Sequence, residues 1–143
     1  MNNIDLVKQY RCLFSKRDIT AALELVADDA IWQTDNAGGG WSGTHVGKSS
    51  ILRHLKNIGK ECKLLSWETR SIFPRNAKQI IEIAYLKFEF IVTGEIYESD
   101  AICIFDIEAE KITRYKIYED EQKLTACYQR TLPSLSTNIN GII

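Results

Sequence analysis

The chain has 143 residues, enough for one domain built around one sizeable core. Its 45% hydrophobic and 26% charged content is that of an ordinary globular protein and excludes global disorder. Eighteen Lys and Arg against 19 Asp and Glu give a net charge of -1, which removes any whole-domain electrostatic case for binding nucleic acid or an anionic membrane.

The opening "MNNIDLVKQY" has no basic start followed by an apolar core, so no signal peptide is read there. No apolar run approaches the ~20 residues needed to span a bilayer. Cys12, Cys62, Cys103 and Cys127 are scattered without a C-x-x-C pair. They read as buried reduced thiols, and the expected location is cytoplasmic.

In chain order, "NIDLVKQYRCLF" sets Leu6, Tyr10, Leu13 and Phe14 on one stripe of a first helix. "DITAALELVADD" predicts a second helix capped by Asp18, with Ile19, Leu23 and Val26 on its buried side. "DAIWQT" is a short strand, and "NAGGGWSGTHVG" reads as a loop. "KSSILRHLKNIG" predicts a third helix that buries Ile51, Leu55 and Ile58 and ends on Gly59 as its cap. His54 falls between Arg53 and Lys56 there and reads as solvated.

Four β-rich stretches follow: "KLLSWETRSIF", "KQIIEIAYLKFEFIV", "ESDAICIFDI" and "KITRYKIYE". "TGEIYE" and "EAEK" stand where hairpin turns belong, and Asp120 caps a last helix, "EQKLTACYQR". The tail at 131–143 shows no clear period, so the domain is taken as residues 1–130. Helices first and antiparallel strands after is an α+β order: helices gathered on one face of a curved sheet.

The two histidines stand nine residues apart in sequence among scattered acids, without a recognisable metal-ligand spacing. "GKSS" lacks the frame of a phosphate loop, so Gly38, Gly39 and Gly40 are read as a flexible, lid-like loop over a pocket.

"YRCLFSKRDITAALELVADDAIWQTD" and "EKITRYKIYEDEQKL" together resemble the SnoaL-like polyketide cyclase and ketosteroid isomerase superfamily. The resemblance covers about 120 residues. It implies the cone-shaped half-barrel of nuclear transport factor two, also called cystatin-like: a curved antiparallel sheet packed against three N-terminal helices. It implies no cofactor and no metal.

Residue by residue, Tyr10 falls where ketosteroid isomerases place the tyrosine that donates to the developing oxyanion. Thr34 occupies the place of their proton-moving aspartate; Asp35 is adjacent, on the other strand face. Their second oxyanion acid maps near Ile102, with Asp100 two residues earlier. Matching to limonene-epoxide hydrolases puts Ala84, Leu86 and Ile117 at the charged triad and Trp32 and Thr34 at the water-positioning residues, so that water activation has no counterpart.

The same matching implies a cavity wall of Ala84, Leu86, Phe88, Ser99, Ala101, Cys103, Tyr115 and Ile117, with Glu119 at its end. Trp32, Thr34 and Trp41 would touch an apolar small molecule. The opposite face, with Ile81, Ile83, Tyr85, Ile91, Ile102 and Ile104, implies a homodimer.

Glu119 either points into the cavity, where desolvation raises its pKa, or sits solvated at the strand's exit. Tyr10 is either an oxyanion donor or a core tyrosine whose hydroxyl the backbone satisfies. The expected function is a cofactor-free isomerase or cyclase moving a proton on an apolar carbonyl compound, with Tyr10, Glu119 and Asp35 as the catalytic groups. The alternative is a non-catalytic ligand-binding or dimerisation module of the same fold.

Overall fold

The structure, a computed structural model, describes residues 1–140, with side chains up to residue 132. Three helical segments interrupted by two strands come first. They are α1 (Asn3–Ser15), α2 (Ile19–Glu24), β1 (Val26–Gln33), β2 (Thr44–Val46) and α3 (Lys48–Glu61). A meander of β3 (Cys62–Asn76), β4 (Gln79–Phe90), β5 (Ile96–Glu108) and β6 (Lys111–Tyr118) leads to α4 (Glu121–Asn140).

Caps fix the helix starts as the sequence predicts. Asp18 accepts from Ala21 N–H at 3.2 Å, and Asp120 accepts from Lys123 N–H at 3.1 Å. Two expectations at helix ends are corrected. The second helix stops at Glu24, because Val26 leaves it to pair with Ile112. Gly59 lies inside α3, which runs on to Glu61. The last helix continues to Asn140, through most of the stretch without a period, while 141–143 lie outside the described residues.

The six strands form one sheet in the order β2-β1-β6-β5-β4-β3. Every ladder is antiparallel except β1 on β6, which is parallel. The three-residue β2 is a strand where the sequence reads as loop; it pairs Trp32 with His45. Register shifts in β3 at Leu64/Ser66, Thr69/Ser71 and Pro74/Asn76 mark bulges, which bend the long β3–β4 ribbon into a half-barrel.

Strand alternation buries Ile80, Glu82, Ala84 and Leu86 of β4 and Tyr97, Ala101, Cys103 and Phe105 of β5 on the concave side. Ile83 and Ile102, paired across the ladder, are 37% and 46% exposed on the convex side. On α1 the fully buried residues are Leu6, Val7, Tyr10 and Arg11; Leu13 and Phe14 are only half-buried. The apolar interior divides into two clusters. One lies under α1 and α2; the other lies between the 36–43 loop, α4 and the far end of β4 and β5. Ile58, Trp67 and Ile117 touch both.

Candidate functional site

The two clusters do not close on each other, and the gap is a cavity walled by α1, α3, the sheet and the start of α4. The space between its walls, mouth included, is about 660 Å³, of which the centre of a water-sized sphere reaches about 70 Å³. Phe14, Ile58, Cys62 and Phe88 line both this cavity and a groove outside it, so they form its rim. A slim, flat, mostly apolar occupant suits such walls.

Trp32, Thr34, Trp41, Leu86, Phe88, Tyr115, Ile117 and Glu119 line the cavity as the sequence reading places them. Ser99, Ala101, Cys103 and Ala84 do not. Ala84 and Ala101 are buried outside the lining. The Cys103 thiol is turned to the Tyr115 hydroxyl at 3.4 Å. Ser99 accepts from Asp120 N–H at 2.9 Å and donates to Asp100 O at 2.6 Å, tying β5 to the start of α4.

Glu119 follows β6 and turns its carboxyl group into the cavity. Burial pushes its pKa up to about 7, and the Asp35 carboxylate adds to the rise; the Tyr97 hydroxyl, donating to Oε1 at 2.6 Å, works the other way. The carboxyl is therefore able to exchange a proton near neutral pH. Tyr97, buried at the same wall, falls outside the sequence reading, although it shares the inward parity of Ala101 and Cys103.

Asp35 is buried and also reaches the cavity. Its carboxylate is committed to the glycine loop. Oδ1 accepts from Ala37 N–H at 2.9 Å and Ser42 Oγ at 2.5 Å, and Oδ2 from the Trp41 indole at 2.9 Å. Thr34, at the position matched to a catalytic aspartate, donates from Oγ1 to the carbonyls of Trp41 and Gly43.

The loop is therefore pinned rather than lid-like. Gly38 takes φ +96°, a conformation that side chains disfavour. At Gly39 a Cβ would meet the Trp41 ring at 2.5 Å, so the glycines let an indole lie flat on the backbone.

His54 is buried, not solvated, and helps line the cavity. Its Nδ1 meets the Trp41 carbonyl at 2.6 Å; His45 Nε2 meets the same oxygen at 2.8 Å, and the two rings stack at 4.4 Å. Burial, reinforced by the neighbouring His45, holds His54 down to about 4.

The other end of the cavity holds a buried ion pair that sequence reasoning misses. Arg11 donates from Nε and Nη2 to Glu82 Oε1 at 3.0 and 2.8 Å. Glu82 also accepts from the Trp67 indole at 3.1 Å and Thr69 at 2.6 Å. The guanidinium lies 3.7 Å from the Trp67 ring centre. Burial works against both charges, and each outweighs that penalty on the other: Arg11 is raised and Glu82 lowered. One signal was available: Glu82 shares the inward parity of Ala84 and Leu86, and Arg11 follows Val7 by one helical turn.

Tyr10 is 1% exposed and lines the cavity between Trp32 and Phe105, with ring centres 5.7 and 5.9 Å away. No group among the described residues hydrogen-bonds its hydroxyl, and that oxygen is not among the sealed, unpartnered atoms. Burial raises its pKa, so it stays a donor.

The model of the SnoaL-like domain matches residues 7–115. The chain belongs to the SnoaL-like family. Solved structures agree on the fold. An NTF2-like protein from Burkholderia xenovorans LB400 superposes with a TM-score of 0.77 at 18% identity, covering 87% of this chain and 93% of that one. A protein from Pseudomonas putida KT2440, provisionally described as a polyketide cyclase, gives 0.75 at 17%, covering 88% and 97%. One from Bacillus subtilis, provisionally described as an isomerase, gives 0.75 at 18%, covering 87% and 91%. No curated protein matches. At these identities the SnoaL-like likeness carries the half-barrel and leaves chemistry to the site itself.

Proposed function

We propose that this SnoaL-like protein is a cofactor-free isomerase or cyclase that moves a proton on a small, apolar carbonyl compound. One observation carries the reading: a carboxyl poised near 7 and an unclaimed tyrosine hydroxyl face the same apolar cavity. Glu119 takes a proton from carbon beside the carbonyl, Tyr10 donates to the oxygen as it gains charge, and Glu119 returns the proton at a second carbon. Asp35 positions the loop and biases Glu119 by its charge; it is not the base, because three donors already occupy it.

The test needs no known substrate. Small cyclic and aromatic ketones are incubated with protein in heavy water, and deuterium entry beside the carbonyl is followed by NMR. Exchange in the wild type and its loss in Glu119→Gln is the expected result. No exchange with any ketone that demonstrably binds would overturn it. That outcome would favour the alternative, a binding module.

The convex face supports a second copy of this chain as partner. Ile83, Ile102 and Tyr118 are exposed there, 37%, 46% and 50%, on neighbouring strands of one sheet. An apolar face of that kind is covered in a symmetric dimer at little conformational cost.

A further inference from the structure

The chain has three tryptophans, and all three line the cavity. Trp41 gives its indole N–H to Asp35, and Trp67 gives its own to Glu82. Trp32 does not. It is 1% exposed, and no acceptor among the described residues meets its Nε1. Among the described residues, the one buried side-chain nitrogen or oxygen that is both unpartnered and sealed from water-sized space is Glu61 Oε2. Trp32 lines this cavity, so an occupant is at hand for the unclaimed N–H.

A buried donor without an acceptor costs free energy, and such a group calls for an explanation. The ring is held firmly: it stacks on Tyr115 at 4.7 Å and 23°, and meets Tyr10 edge-on at 5.7 Å. Its strand neighbour Ile31 pairs with Val46 and Arg114, which fixes β1 on both sides.

We propose that the Trp32 indole N–H is a second donor to substrate oxygen, acting with the Tyr10 hydroxyl. The inference rests on the proton-transfer reading of the cavity and deepens it. Glu119 forms a bond to the proton, the C–H electron pair becomes the new C=C bond, and the carbonyl π pair moves onto oxygen. The resulting enolate charge lies at two donors. An indole nitrogen only donates and does not titrate, so it stabilises the anion without handing it a proton. Two donors at that end favour a ligand that presents a bare oxygen, a ketone or a phenolate.

The probe is 4-nitrophenolate, an enolate mimic whose ionised form is read by visible absorbance. It is titrated in the Glu119→Gln background, where the amide stands in for the protonated acid. Nitrogen-15 labelling of the tryptophans gives three indole signals, assigned by substitution. Saturating probe is expected to move the Trp32 signal and leave the Trp41 and Trp67 signals within their linewidths. Adding Trp32→Phe, which keeps the ring stack, is expected to weaken the phenolate ten- to hundredfold. Affinity for the neutral 4-nitrotoluene should stay within about twofold, showing that the pocket is intact. Unchanged phenolate affinity in that variant, a stationary Trp32 signal at saturation, or no binding of the probe at millimolar concentration each overturns the proposal. Phenolate binding through Trp32 without any ketone exchange in the wild type would instead sink the catalytic reading and leave this donor assignment standing.

Discussion

Asp35 and Glu119 stand on one cavity wall, and of the two only Glu119 keeps a carboxylate oxygen that no donor among the described residues claims. The division of labour follows from placement. Asp35 sits where backbone and side-chain N–H groups converge, and it organises the loop. Glu119 sits where the surroundings are apolar, and its proton is loosely held near neutrality.

Replacing Glu119 by Gln should lower proton exchange by ~10²–10⁴-fold while ligand affinity is kept. In the wild type the base is the ionised form, so the rate should rise with pH through a midpoint near 7. The stability effect has the opposite sense. Because folding raises this pKa above its unfolded value, its stabilising contribution is full at low pH and is lost as pH climbs through about 7. Glu119→Gln should therefore gain roughly 1–3 kcal/mol over the wild type at pH 8 and much less at pH 5, as read by urea unfolding.

Asp35→Asn removes a charge that helps raise Glu119. The midpoint of the rate profile should move to lower pH. Asp35→Ala also leaves the buried Trp41 indole without its acceptor, at a cost of about 1–3 kcal/mol. Hydrogen exchange at the amides of Ala37 and Gly43 should accelerate in both variants. An unchanged rate midpoint in Asp35→Asn would show that the two acids do not communicate.

Arg11 and Glu82 should behave as a unit. Arg11→Met alone strands a carboxylate that is 0% exposed, at about 3–5 kcal/mol. Arg11→Met with Glu82→Leu should recover most of that loss, because an apolar pair of similar volume avoids the desolvation of two ions. Thermal unfolding of the two single variants and the double variant forms the cycle that decides it.

His54 predicts an acid limit. Its folded pKa of about 4 lies below the ordinary histidine value of 6.5, so its contribution is full above pH 6.5 and lost as pH falls towards 4. About 3 kcal/mol should disappear across that window. A His54→Gln variant should show a flatter stability profile there, measured by urea unfolding at half-unit pH steps.

The convex face makes a plain prediction about mass. Ile83→Asp with Ile102→Asp places like charges directly opposite on paired strands. A wild-type dimer should become a monomer by light scattering at micromolar concentration, with the cavity and its ligand affinity retained.

Much of this was readable from residue patterns. Period-two alternation in β4 and β5 gives the sheet and its two faces, and Asp18 and Asp120 announce helix starts. The polar core was not. Arg11 and His54 occupy buried stripes beside Val7 and Ile51, but a hydrophobic pattern scores charged and polar side chains as outward-facing. Only a partner distant in sequence, Glu82 for one and the Trp41 carbonyl for the other, reverses that. The second helix ends before its periodicity predicts because Val26 suits a strand and a helix equally until β6 lies beside it. The glycine run suggested motion, yet local sequence carries no sign of the Asp35, Thr34 and histidine contacts that hold it still.

The parallel seam between β1 and β6 joins the beginning of the sheet to its end, with Trp32 beside Tyr115. Until that zipper shuts, Tyr10 and Trp32 belong to one fragment and Tyr115 and Glu119 to another. The helices and the central hairpins form from neighbours in sequence, whereas the hollow waits for partners far apart in the chain to meet. A half-folded molecule thus has walls but no room. A ligand rewards only the finished one, and its presence in the cell should lengthen the life of molecules that have completed the seam.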